Sequence, residues 1–449
     1  MFTFRRSLVA CGIAASILSP ARAQNITTPP GRPGYVNAAA VNATRIDPHT
    51  PASSFVFQIP PTGADSTSVF MNPTLGRTGN SNAGGNIRFP ANGGTVLGLR
   101  EASTFGGAFA AQAGPNVGQV YKYTILGNPP LAGGTTNIAT NIDEISWTLL
   151  NDNGTVFKTL PFAPFEALTL GSPNFQTARY SSAGSPVQFA DAVQRAEFYS
   201  SIQSTPGWHT NLAPTVVNRV NITVPYWVNV LFPNGTVVRA RSFFTGTASD
   251  GTTFVLMLDL LFEFLFDNEV VNEIELGNFS TDGVNMTAFP NTYLFSLNMS
   301  NPQSPGDCCV LGFHTYFYDN AVPQDRWLTI YESWISPGIF GGGFQDVTAL
   351  SHEISETFND PYIDNVTPNW QFPGQPHGST VCQNDLETGD PIEVLSNATF
   401  PVTLGGFTYH PQNEALIPWF GMGSSNAIGG AYSYPNTTVL PHAALPCGS

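Results

Sequence analysis

The run Phe344-Gln345-Asp346-Val347-Thr348-Ala349-Leu350-Ser351-His352-Glu353-Ile354-Ser355-Glu356-Thr357-Phe358-Asn359 decides how this chain is read. Val347, Leu350, Ile354 and Phe358 recur at the spacing of one helical face, which predicts an amphipathic helix entered from the Gly341-Gly342-Gly343 loop. His352 and Glu356 lie one turn apart on the opposite face, so a helix packed through its apolar side aims both outward together. An imidazole and a carboxylate four residues apart can reach one cation. Glu353, turned slightly aside, is placed to take a proton from water on that cation, as the Glu of H-E-x-x-H enzymes does. The pattern here is H-E-x-x-E, with Glu356 where the commoner motif has a second His; zinc also accepts carboxylate oxygen.

Two protein ligands leave a catalytic zinc one short. The segment Cys382-Gln383-Asn384-Asp385-Leu386-Glu387-Thr388-Gly389-Asp390-Pro391 offers Glu387 and Asp390 as first candidates, with Asp360, Asp364 and His377 behind them. One His with two carboxylates is a hard donor set, so manganese, iron and calcium stay open beside zinc, the expected ion. His314, in the strand-like Val310 to Tyr318, can border the cleft, but the expectation is an ordinary strand histidine; His209 and His410, beside aromatics, read the same way.

The stretches Ser351 to Trp370, Cys382 to Pro391, Tyr409 to Phe420 and Gly429 to Pro435 resemble a group of secreted, largely uncharacterised microbial proteins. That group carries a Ser-His-Glu-Ile-x-Glu motif followed by Leu-Glu-x-Gly-Asp. A looser likeness extends to the plant phosphate-induced, exordium-like proteins with H-E-x-x-E. The resemblance covers roughly the last 260 residues, from near Phe189, and leaves the N-terminal region unmatched. It implies a zincin-like metal site built from His352, Glu353 and Glu356 with Glu387 and Asp390 in the acidic segment. No established substrate comes with it.

Around this motif the composition narrows the class. Charged residues are only 10% of 449, and Lys+Arg 16 against Asp+Glu 31 leaves −15, so nucleic acid and anionic lipid are poor partners. Arg5 and Arg6 before the apolar Leu8 to Leu18, then Ala21-Arg22-Ala23, read as a signal peptide over residues 1–23 and a secreted, extracellular chain. Losing Arg5, Arg6 and Arg22 takes −15 to −18. Phe254 to Phe266 is broken by Asp259 and Glu263 and too short to span a bilayer, so no membrane anchor is expected. Glycans would supply the missing surface polarity at the sequons Asn25, Asn42, Asn153, Asn221, Asn234, Asn278, Asn285, Asn298, Asn365, Asn397 and Asn436. Cys308, Cys309, Cys382 and Cys447 remain after the signal. Two disulfides are expected, each of the adjacent pair taking one of the other two in an order the sequence leaves open.

Coarse patterning completes the picture. Ile145 to Leu150 and Thr155 to Leu160 flank Asn153-Gly154 as a hairpin, and Val216 to Phe232 with Val237 to Phe244 form a second around Pro233-Asn234-Gly235, with Pro225 marking an edge or bulge. Phe189 to Tyr199 reads as a helix; Phe254 to Phe266 fits either state, and its acidic row Asp259, Glu263, Asp267 is expected to be a solvated face. The fold class is α+β: a β-rich N-terminal domain over 24–185, then a zincin-like domain over 186–449. The functional expectation is a secreted zinc peptidase acting on peptide or protein, and the alternative a non-catalytic surface or matrix glycoprotein with a structural metal.

Overall fold

A computed structural model describes residues 103–449 apart from 183, 232–235, 320–321, 341–342, 376–381, 394 and 448–449, and before them a short strand, Val56–Gln58. The segment expected to be a signal peptide, with Asn25, Asn42, Asn234 and His377, therefore lies outside the described residues. The chain is β-rich with several helices, an α+β composition.

Six strands form the sheet that positions the site: β1 (Thr135–Leu150), β2 (Val156–Leu160), β3 (His209–Val224), β4 (Val284–Pro290), β5 (Gly312–Asp319) and β6 (Val322–Trp334). Strand β3 runs parallel along one edge of β1 for nearly its whole length. The opposite edge is shared, β4 pairing in parallel with Thr140 to Glu144 and β2 antiparallel with Trp147 to Leu150. Beyond β4 come β6, parallel, and β5, antiparallel to β6. The β1–β2 hairpin turns at Asn151 to Gly154, where Gly154 takes φ 79° and its N–H donates to the Asn151 carbonyl. The second hairpin also forms, Trp227–Leu231 pairing antiparallel with Val237–Arg241; Pro225 separates it from β3. Strands from residues 135–160 and 284–334 thus share one sheet, which crosses the boundary drawn at residue 185 from composition. Composition along the chain follows local turn density, whereas sheet membership is set by long-range pairing.

Three helices matter here: α1 (Phe189–Glu197), α2 (Asp259–Leu276) and α3 (Thr348–Asn359). Val347, Leu350, Ile354 and Phe358 bury against Ile142, Met286, Leu328 and Ile330 on one face of the sheet. Residues of opposite parity, Phe289, Phe313 and Tyr331, point to the other face and meet Phe262 and Phe266 of α2. The ambiguous Phe254 to Phe266 run is both states in succession, a strand ending at Leu258 and then α2. Its acidic row is not solvated: Glu263 and Asp267 are buried, and burial with the neighbouring Glu263 pushes the Asp259 carboxyl up to about 8. An α2 that packs on nearly all sides leaves no outward face for those acids.

The cysteine pairing expected from sequence is corrected. Cys308 bonds Cys309, and Cys382 bonds Cys447. Cys382 sits opposite Gln371 while the Cys447 N–H donates to the Asn369 carbonyl, so one strand brings the second pair to a Cα–Cα distance of 5.8 Å. Two sequons also fall away as glycan acceptors. Asn285 and Asn365 are buried, their amides donating to Ser280 and Leu328 carbonyls and to Thr124 and Asn359 carbonyls. Asn153, Asn221 and Asn397 are exposed, and Asn278, Asn298 and Asn436 are half-buried. No helix among the described residues is long and apolar enough to cross a membrane.

Candidate metal centre

Helix α3 is fixed at its entry by a small network. Asp346 accepts the Val347 and His410 backbone N–H groups through Oδ1 and contacts His410 Nδ1 at 2.7 Å through Oδ2. Thr348 Oγ1 donates to the His410 carbonyl, and Ser351 Oγ accepts the Gln412 N–H. His410 is accordingly a helix anchor, and His209 pairs with Asp191 at 2.7 Å.

The far side of α3 differs from the outward aim read from sequence. His352 is 8% exposed and Glu356 3%, because the segment carrying Glu387 and Asp390 closes over that face. His352 Nε2 lies 3.0 Å from Glu356 Oε1 and 3.6 Å from Asp390 Oδ1, and the three ligand atoms of this group fall within 4.8 Å of one another. Asp390 thus completes, on the His352 side, a group of three that could hold a cation. Glu387 takes the other side, its Oε2 3.8 Å from His314 Nε2.

His314 is the residue the sequence reading undervalued. Its Nδ1 stands 3.5 Å from both Glu353 Oε2 and Glu356 Oε2, and its Nε2 donates to the Asp360 carbonyl at 3.2 Å. Period-2 alternation puts His314 with Tyr316 and Tyr318 on one face of β5, but only the sheet order shows that this face meets α3. Asp360 contributes that carbonyl, and its own Oδ1 accepts the Asp364 and Asn365 N–H groups. Asp364, whose carboxyl burial pushes up, feels Arg326.

Two glycines make room for the cluster. A Cβ on Gly389 would sit 2.6 Å from His352 ring atoms, and one on Gly312 would sit 2.7 Å from Glu353 Cγ and Oε1. The Gly389 N–H also donates to Glu356 Oε1 at 3.0 Å, and its carbonyl accepts from Gln412 Nε2. Next to these groups a cleft of about 50 Å³, lined by Leu311, Gly312, Phe344, Ala349, Glu393 and Gln412 among others, has room for water beside His352 and Glu353.

The electrostatics are those of a crowded acidic site. Against the upward push of burial, His352 and His314 hold the Glu356 carboxyl well below its usual range. Burial pulls both imidazoles down, but Glu387, Glu353 and Glu356 raise His314 overall, and Glu356 with Glu353 raises His352. Burial lifts Glu353, Glu387, Asp390 and Glu414, and brings Glu393 to about 7. So many carboxyls around two imidazoles must stay partly protonated or be neutralised by a cation. Glu387 Oε2 is buried without a hydrogen-bond partner, which suits a cation beside it.

No family model matches the chain, and no curated protein or solved structure matches it.

Proposed function

We propose that this protein is a secreted metal-dependent hydrolase, a peptidase of zincin-like design, with the cation held by His352, Glu356 and Asp390. The observation that carries this is the Glu356 Oε1 contact to His352 Nε2 at 3.0 Å with Asp390 Oδ1 completing the group and Glu353 Oε1 4.0 Å from the same ring nitrogen. A divalent cation bound there supplies a Lewis acid that lowers the pKa of a bound water and polarises a carbonyl. Burial keeps the Glu353 carboxyl basic enough to accept a water proton and pass it to a leaving amine. Gly389, through its N–H to Glu356 and its flat contact with His352, orients two ligands at once. Helix α3 lying beside an antiparallel edge strand, β5, supports the zincin-like comparison.

The burial of every donor also favours a second reading, a closed structural ion in a non-catalytic glycoprotein. One set of measurements separates them. Metal content of protein secreted without chelator should be about one zinc per chain or more, with the His352 ion lost in His352→Ala and Glu356→Ala. Cleavage of a quenched peptide library that Glu353→Gln abolishes supports the hydrolase; bound metal with no cleavage leaves the structural ion. Wild type that takes up no metal defeats both.

A further inference from the structure

We infer that the site holds two cations, the second bound by His314 Nδ1, Glu356 Oε2 and Glu353 Oε2, with Glu356 bridging. The inference rests on the metal reading above and extends it. The two oxygens of Glu356 face different histidines: Oε1 lies 3.0 Å from His352 Nε2, and Oε2 lies 3.5 Å from His314 Nδ1. His314, Glu353 and Glu356 bring their ligand atoms within 4.8 Å of one another, as do His352, Glu356 and Asp390, and the two groups share Glu356 but not a histidine. A carboxylate presenting one oxygen to each of two donor groups has the geometry of a bridge between metals roughly 3.5–4 Å apart.

The orientation of His314 supplies an independent argument. A carbonyl only accepts, so the 3.2 Å contact to Asp360 fixes a proton on Nε2, and Nδ1 faces the two carboxylates with either a second proton or, once a cation displaces that proton, its lone pair. Backbone-carbonyl anchoring of one ring nitrogen while the other faces carboxylates is how ligating histidines are held. Two carboxylate oxygens, each 3.5 Å from Nδ1 in a buried site, call for a cation or a proton among the three atoms. Glu387 Oε2, 94% buried as a residue and without a hydrogen-bond partner, adds negative charge on the same side. Glu353 bound through Oε2 keeps Oε1 toward His352, so it can still accept a proton there.

The test is metal stoichiometry of the full secreted chain dialysed against Zn²⁺ and, separately, low-temperature electron paramagnetic resonance after loading with Mn²⁺. About two Zn²⁺ per chain in wild type, falling to about one in His314→Ala, and a spin-coupled Mn²⁺ pair in wild type are the expected results. One Zn²⁺ per chain, unchanged in His314→Ala, with an uncoupled Mn²⁺ signal overturns the second site and leaves the first. No bound metal overturns both. Because the Mn²⁺ spectrum is read on wild type, the inference stays falsifiable even if His314→Ala does not fold.

Discussion

Replacing Gly389 with alanine is expected to weaken metal binding without unfolding the protein. The new Cβ would lie 2.6 Å from His352 ring carbons, whereas carbon atoms rest comfortably about 3.5–4.0 Å apart, so the ring must move by about 1 Å. Gly389 is not in the left-handed region, so alanine accepts the backbone, and its N–H and carbonyl can go on serving Glu356 and Gln412. The cost therefore falls on His352. Overpacking of this kind typically costs about 1–3 kcal/mol, which becomes roughly a 5- to 150-fold loss of affinity if the holo geometry bears all of it. Competition against a zinc chelator measures the affinity, and circular dichroism checks the fold. Gly207→Ala, where an added Cβ meets nothing within 4 Å, is the neutral control. A natively folded Gly389→Ala protein with affinity within twofold of wild type would refute the reasoning, because His352 would then not be the ligand that Gly389 positions.

Glu353→Gln should keep the ion at His352 and lower peptide hydrolysis by roughly 10²–10⁴, read as kcat in a fluorogenic assay alongside metal analysis. Glu332, buried in β6, has its carboxyl pushed up to about 8 by burial and by Glu144, so the folded state holds a proton that the unfolded state releases above about 4.5. Its stability contribution is full below that pH and is lost as pH rises to about 8; unfolding free energies of Glu332→Gln from urea titrations should gain on wild type across that window by up to about 5 kcal/mol, and parallel pH curves would contradict this. Removing the Cys382–Cys447 bond, which closes a 65-residue separation, by replacing both with serine should cost up to about 4 kcal/mol in urea unfolding, and an unchanged midpoint would show that the pairing adds nothing.

Much of the site was legible locally. His352, Glu353 and Glu356 declare themselves because helical periodicity is a property of neighbours in sequence, and the same apolar spacing correctly places Val347, Leu350, Ile354 and Phe358 in the core. The first hairpin, which turns at Asn153-Gly154, the pairing of Trp227–Leu231 with Val237–Arg241, and α1 with its 3.6-residue pattern are equally local. Glycine and aspartate side by side at 389–390 were visible too, but not why glycine is needed there; the His352 ring that would collide with a Cβ arrives from a helix far back in the chain.

What only tertiary structure decided is everything that depends on which strands become neighbours. The sheet joins Thr135–Leu150 to Val284–Pro290 and Val322–Trp334, so a boundary drawn from composition cut across it. His314 looks like any strand histidine until β5 pairs antiparallel with β6 and turns that face toward α3. Burial of the acidic row on α2, and of Asn285 and Asn365, likewise follows from packing on all sides rather than from residue type. The amino-acid order by itself determined the motif, its helix and the excess of carboxylate charge, because those are short-range or additive. It could not determine the approach of His314 and Asp390 to the α3 motif or the disulfide partners, because each is a contact between segments whose meeting is chosen by the energy of the whole sheet.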